Sequence, residues 1–354
     1  MPPPHDERGA LPGIQYLRGF AAILVVAFHA AANAEPSNAT GLLAYGYLGV
    51  DLFFVISGFI ITYVTLDPQT TMPRSSVAAF AKRRLLRIVP FMWVCIAGYA
   101  ALRFFGRSSD LSFLPYLRAF VLWPVGELRP SVIWTLRHEA LFYGVYALTF
   151  LWRPGLRWLF VIWALSPILL DAVRPIGRVE PEQDLIEFLI NPVNIQFGFG
   201  VMLGLVYGRA RRPPGHIAAR LGGRAGFAIL AGLAFCFMIA GQALSLEIMT
   251  VRTAVIAGCL ASILLAIGII MPSHGNAERD WIVGGGRLVG DASYAIYLTH
   301  LPVLLALLPL MRRVVPQMST GPTVMIVLLA ATSVGVLAHL WVEKPLLHRL
   351  KPRG

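Results

Sequence analysis

An arginine and a histidine eleven residues apart, Arg18 and His29, interrupt an otherwise apolar stretch, IQYLRGFAAILVVAFHAAANA at 14–34. Read as a helix, eleven residues at about 100° each bring both side chains to within about 20° of one face. At about 1.5 Å per residue they stand roughly 16 Å apart along the axis. A guanidinium can grip an anion such as phosphate, and an imidazole can take a proton from a hydroxyl. Taken singly, Arg18 also reads as a snorkelling anchor and His29 as a satisfied core histidine. Two costly residues in line on one apolar face point instead to a shared cavity.

Other residues of the right type sit in similar surroundings. Asp51 lies in GYLGVDLFFVISGF, Glu139 in WTLRHEALFYGVY and His300 in SYAIYLTHLPV. A carboxylate on the second ring nitrogen of a histidine fixes its tautomer and stabilises the imidazolium, a role for which Asp51 is the candidate. Asp51 also reads as a helix N-terminal cap. Glu139 shares a helix face with Tyr143 and Tyr146, which suits orienting an acceptor or holding a second proton; an ion pair with Arg137 or with an arginine of another span is the alternative. His300, with Ser293 and Tyr297 on one face, reads as hydrogen-bonded packing. A basic run, KRRLLRIVP at 82–90, opens another apolar stretch. Its Arg83 and Arg87, four apart, share a face, while Arg84 points elsewhere. The run is either a positive-inside anchor or, with Arg18, a phosphate clamp. From such a clamp a thin chain the length of a phosphopantetheine arm, roughly 16 Å, would reach His29. Gly46, Gly49 and Gly58 would let that chain or a neighbouring backbone come close.

The elements that must position these residues follow from composition. The 354 residues are 57% hydrophobic and 14% charged, with mean hydropathy +0.68, which places the chain among all-α polytopic membrane proteins. About ten spans are expected, near 14–34, 46–66, 86–105, 132–152, 156–173, 189–207, 225–243, 251–271, 289–311 and 322–342. The stretch 111–125, broken by Pro115 and Pro124, reads as a re-entrant or interfacial piece. Short linkers imply a single transmembrane domain over 1–354. The first span, uncommonly long and charged for a leader, is not read as a cleavable signal. The net charge of +12 suits basic loops against anionic membrane lipid rather than nucleic acid. Cys95, Cys236 and Cys259 show neither metal-ligand nor disulfide spacing. With both termini cytoplasmic, the inner segments carry 20 of the 30 Lys and Arg, as the positive-inside rule asks. Arg103, Arg107, Arg118 and Arg129 run against it and would suit an anionic substrate outside. On these span ends His29 and Asp51 both lie roughly 8 Å below the outer surface, Glu139 roughly 10 Å and His300 roughly 15 Å. One layer of four ionisable groups is expected.

In order along the whole chain, Arg18 and His29, GVDLFFVISGF at 49–59, RRLLRIVP at 83–90, WTLRHEALFY at 134–143, SYAIYLTH at 293–300 and VEKP at 342–345 resemble the acyltransferase-3 family of bacterial integral membrane acyltransferases. The opening IQYLRGFAAILVVAFH is most similar to the exopolysaccharide and lipopolysaccharide O-acetylase branch. The resemblance implies transfer of an acyl group, usually acetyl from cytoplasmic acetyl-CoA as cosubstrate, to a hydroxyl of an extracytoplasmic polysaccharide or lipid-linked sugar. It implies a multi-pass protein of the bacterial inner membrane, with no metal and with self-association left open. By motif position His29 is the essential histidine, Arg18 its paired basic residue, Arg83, Arg84 and Arg87 the basic motif, and Asp51 and Glu139 the acidic positions. Arg137 and His138 depart from the small or neutral residues common there, which points to a different acceptor pocket. A direct attack with His29 as base and a route through an acyl-enzyme both fit. A proton-coupled transporter or flippase is the reading from another class, since buried Asp, Glu and His also suit a proton relay.

Overall fold

The computed structural model describes residues 11–34, 41–106, 112–173, 184–209, 223–271 and 280–350. Several loop arginines counted above, among them Arg8, Arg107, Arg211, Arg212, Arg220 and Arg279, lie outside them. The described residues are helical almost throughout: α1 Pro12–Ala34, α2 Leu48–Thr65, α3 Val77–Phe105, α4 Leu114–Val121, α5 Trp134–Tyr146, α6 Arg157–Val173, α7 Leu185–Leu189, α8 Val193–Arg209, α9 Gly223–Ala243, α10 Val251–Ile269, α11 Trp281–Asp291, α12 Ser293–Val314, α13 Thr320–Ala338 and α14 Lys344–Leu350. A backbone in hydrocarbon must satisfy its own polar groups, and the helix does so locally. Side-chain caps mark several starts. Ser76 accepts from Ala79 N at 3.2 Å, Asp184 from Glu187 N at 2.8 Å and Thr250 from Thr253 N at 3.2 Å.

Nine helices among the described residues are long and apolar enough to cross a membrane. The expected span at 132–152 is not one of them. It is a 3₁₀ turn at Ser131–Ile133, the thirteen-residue α5 and a π turn at Ala147–Trp152. Its middle carries Arg137, His138 and Glu139, so it is too polar to count as an apolar crossing. Of the piece at 111–125, the described residues from 112 on hold the short α4, with Pro115 in its first turn and Leu122 in the left-handed region behind it.

α1 is the hub. It packs against α2, α9, α10, α11, α12 and α13, and Leu17, Ala21, Ala22, Val25, Val26 and Ala30 are sealed from solvent. Glycines set the closest approaches. A Cβ at Gly49 would collide with the Ala21 carbonyl, and one at Gly46 with the Leu24 carbonyl. Gly58 of α2 and Gly200 of α8 meet in the same way. Of the two uses expected for these glycines, the structure has the neighbouring backbone.

Candidate active site

The helix register decides which residues can meet. In the antiparallel pair α1 and α2, Gly49 sits on Ala21 and Gly46 on Leu24. Counted from those contacts, Asp51 is level with Gly19, about ten residues or roughly 15 Å from His29. The shared layer expected of His29 and Asp51 is therefore absent. The pairing fails as well: Asp51, 8% exposed, accepts a hydrogen bond from Gln196 Nε2, while His29 Nδ1 meets the carbonyl of Val25, in its own helix, at 2.9 Å. Asp51 does not orient His29 in this structure. Nor is it the N-cap of α2, which is Tyr47; it lies in the first turn, where a carboxylate complements the helix dipole.

What the fold does bring together is a cavity of about 110 Å³. Arg18 enters from α1, Ser57 from α2, Arg84 and Arg87 from α3, Glu139 and Tyr143 from α5, and Tyr294 and Tyr297 from α12. Phe53, Phe54 and Ile88 are among the apolar walls. Arg83 is exposed and does not line the cavity. The expected face is thus corrected: Arg84 and Arg87, three apart, share it, and Arg83 points away. The rotation of α3 is set by Phe80, Phe91, Met92, Cys95 and Ile96, its buried residues.

Glu139 takes a hydrogen bond from Ser57 Oγ at 3.1 Å and another from the Tyr143 hydroxyl. Tyr143 thus meets Glu139 as their shared face predicts, whereas the Tyr146 hydroxyl pairs with Thr65 Oγ1 at 2.9 Å. The Arg84 guanidinium stands 5.8 Å from the Tyr143 ring and 5.7 Å from the Phe80 ring, and its Nε is buried without a hydrogen-bond partner. Arg18 donates to Gln15 Oε1 at 3.2 Å. Three guanidinium groups against one carboxylate leave the cavity with an excess of positive charge and unused fork donors, which is the chemistry of a phosphate site. Glu139 is not paired with Arg137, whose Nη1 donates to the carbonyls of Trp123 and Gly126 at 3.3 and 3.2 Å.

His29 does not line this cavity. It lies beyond it, beside His300, with ring centroids 4.8 Å apart. Tyr297 joins the two places: its ring is in the cavity wall, 6.1 Å from Phe53 and 5.7 Å from His300. A smaller pocket of about 40 Å³ lies on the other side of α2 and contains Asp51, Gln196, Tyr47, Trp134, Thr250 and Thr253. Val50 and Phe54 line both spaces. His138 is buried among Trp134 and Phe188, with both ring nitrogens unpartnered. Of the arginines expected to lie outside, Arg129 is tied to Glu127 at 2.7 Å. Among the described residues no three His, Cys, Asp or Glu are grouped to hold a metal ion.

Sequence reasoning did not single out Ser57 or Gln196. A serine and a glutamine in apolar helices are weak signals alone; each acquires meaning from the carboxylate it meets across a helix interface.

The family model for an acyltransferase domain, Acyl_transf_3, matches residues 11–341. The chain belongs to the acyltransferase-3 family. Among its relatives, the exopolysaccharide production protein ExoZ of Rhizobium meliloti is 30% identical over 325 residues, covering 87% of this chain and 92% of that protein. The O-acetyltransferase OatA of Staphylococcus aureus is 40% identical over 80 residues, which is 23% of this chain and 12% of OatA. The peptidoglycan O-acetyltransferase OatA of Listeria monocytogenes is 36% identical over 90 residues, 25% and 13% of the two chains. No solved structure matches. As an acyltransferase-3 protein with nine candidate spans, the chain is a multi-pass membrane acyltransferase.

Proposed function

We propose that this acyltransferase moves an acetyl group from cytoplasmic acetyl-CoA to a hydroxyl of an extracytoplasmic or lipid-linked glycan, working in a bacterial inner membrane with both termini in the cytoplasm. The observation that carries this reading is the convergence of Arg18, Arg84 and Arg87 on one cavity. These guanidinium groups hold the phosphates of the donor. Glu139, braced by Ser57 and Tyr143, keeps the arginines spread until phosphate replaces it as their counter-charge. The acyl arm then extends along α1 toward His29. Phe53 and Tyr297 stand at that end of the cavity, so their rings part when the arm passes.

At His29, Nδ1 is held by the Val25 carbonyl, and Nε2 is the basic nitrogen. It accepts the proton of the glycan hydroxyl as that oxygen attacks the thioester carbon. The carbon–sulfur bond breaks, and the departing thiolate takes the proton back from His29. Family membership favours this over a transporter, which has no use for a thioester donor.

The test is to incubate purified protein with acetyl-CoA and membranes from a strain lacking the gene, which retain the unacetylated acceptor. Release of free CoA thiol together with one new acetyl ester in the glycan fraction is expected. Protein that binds acetyl-CoA yet forms no ester with any membrane fraction would refute the reading.

A further inference from the structure

His300 lies at the centre of α12, is 0% exposed, and is not needed by any step above. Its Nδ1 approaches the Tyr297 carbonyl at 2.5 Å. A carbonyl oxygen only accepts, so Nδ1 carries the hydrogen and Nε2 is left with a lone pair. That Nε2 is buried with no hydrogen-bond partner. An orphaned acceptor in a sealed site is costly, and an apolar residue of similar shape would avoid the cost. Its neighbour is His29, with ring centroids 4.8 Å apart and planes 52° to each other. The same argument applied to His29, whose Nδ1 is on the Val25 carbonyl, leaves Nε2 as its free nitrogen too. Two imidazoles thus meet with their Nδ1 groups tethered to their own helices and their Nε2 lone pairs unused.

We propose that His300 is the positioning partner of His29: when His29 takes the acceptor's proton, the imidazolium that forms is stabilised by the adjacent lone pair of His300 Nε2, the ring centroids being 4.8 Å apart. The inference rests on His29 acting as the base. It fills the place that Asp51 leaves empty, since that carboxylate is engaged by Gln196. The balance is simple. One proton leaves the glycan hydroxyl, resides on His29 Nε2 facing the substrate while the His300 lone pair offsets the ring's charge, and leaves with the thiolate. His300 ends each cycle as it began. A neutral imidazole suits this position better than a carboxylate, because the pair is uncharged at rest and no buried anion must be kept in the membrane. Tyr297 completes the support. Its carbonyl holds His300, and its hydroxyl is shared with Thr135 Oγ1 at 2.9 Å and donates to the Val132 carbonyl at 3.0 Å.

Two variants separate positioning from packing. His300→Leu keeps bulk and removes the acceptor; His300→Gln supplies an amide oxygen in its place. With acetyl-CoA and acceptor membranes, His300→Leu is expected to lower kcat about tenfold to a hundredfold, with the acetyl-CoA KM within about twofold of wild type. His300→Gln is expected to recover most of that loss. A His300→Leu protein with wild-type kcat, or equal losses in both variants with or without a fall in melting temperature, overturns the proposal. His29→Ala run alongside distinguishes the two levels. If it stays active, the base assignment itself is wrong; if it is dead while His300→Leu is unimpaired, only the partner is wrong.

Discussion

The two ends of α1 offer opposite environments. Around Arg18 the helix borders a largely apolar-walled cavity in which the charges outnumber their partners: three arginines, one glutamate, and a buried guanidinium nitrogen left over. Around His29 it borders a tight seam, where each ring nitrogen that is bonded is bonded to its own helix and the nearest titratable group is another histidine. The first end has the chemistry to hold something charged. The second has the chemistry to move one proton. A single rigid helix fixes the distance between them at roughly 16 Å, so what binds at one end can be acted on at the other only if it is long and thin.

The comparison is broken most severely by His29→Ala. Without the base, acetyl transfer is expected to fall about a hundredfold to ten-thousandfold, with the melting temperature little changed because His29 is partly exposed; turnover by thiol release checks it. Next comes Arg84→Gln, which removes a charged donor from the cavity. The acetyl-CoA KM is expected to rise about tenfold to a hundredfold, while kcat at saturating donor changes little. Asp51→Asn sharpens the contrast. An oriented base would lose about ten-thousandfold on such a change. An aspartate bonded to Gln196 keeps a hydrogen bond through the introduced amide, so less than about a tenfold loss in kcat is expected. The smallest effect lies outside both regions. Asp280 accepts from Arg224 Nε at 2.5 Å and caps α11 through Ile282 N and Val283 N. The hydrogen bond from Arg224, then those backbone bonds, hold its carboxyl below the usual range. The folded state therefore binds that proton less readily than the unfolded chain. Its contribution is complete above about pH 4 and is lost as the pH falls further. Asp280→Asn should narrow the gap in melting temperature between pH 7 and pH 3, and leave turnover at pH 7 unchanged.

Much of the architecture is written in composition, because a hydrocarbon solvent permits few alternatives to long apolar helices. The alignment of Arg18 with His29 is equally legible, since both belong to one uninterrupted helix. Relations between helices are not. Span ends gave Asp51 and His29 the same depth, but the register of α1 and α2 is set where Gly46 and Gly49 allow carbonyls to approach, and that contact carries Asp51 inward. The facing of the α3 arginines was likewise out of reach. With apolar residues on every side of the span, no polar stripe tells which way the helix is turned, and Phe80, Phe91 and Met92 settle it by packing. α5 illustrates another limit: the apolar residues that follow its charged turn read as one span at 132–152, and the change from α to π geometry at Ala147–Trp152 leaves no mark in hydropathy.

The division of labour between the ends of α1 is tested most directly by thermal stabilisation of the purified protein with saturating acetyl-CoA, compared across wild type, His29→Ala and Arg84→Gln. A ligand that binds only the folded protein raises stability by RT ln(1 + L/Kd), with L its free concentration. The account predicts that His29→Ala keeps the full acetyl-CoA shift while ester formation falls by at least about a hundredfold, and that Arg84→Gln loses most of the shift. A shift abolished by His29→Ala and untouched by Arg84→Gln would contradict it.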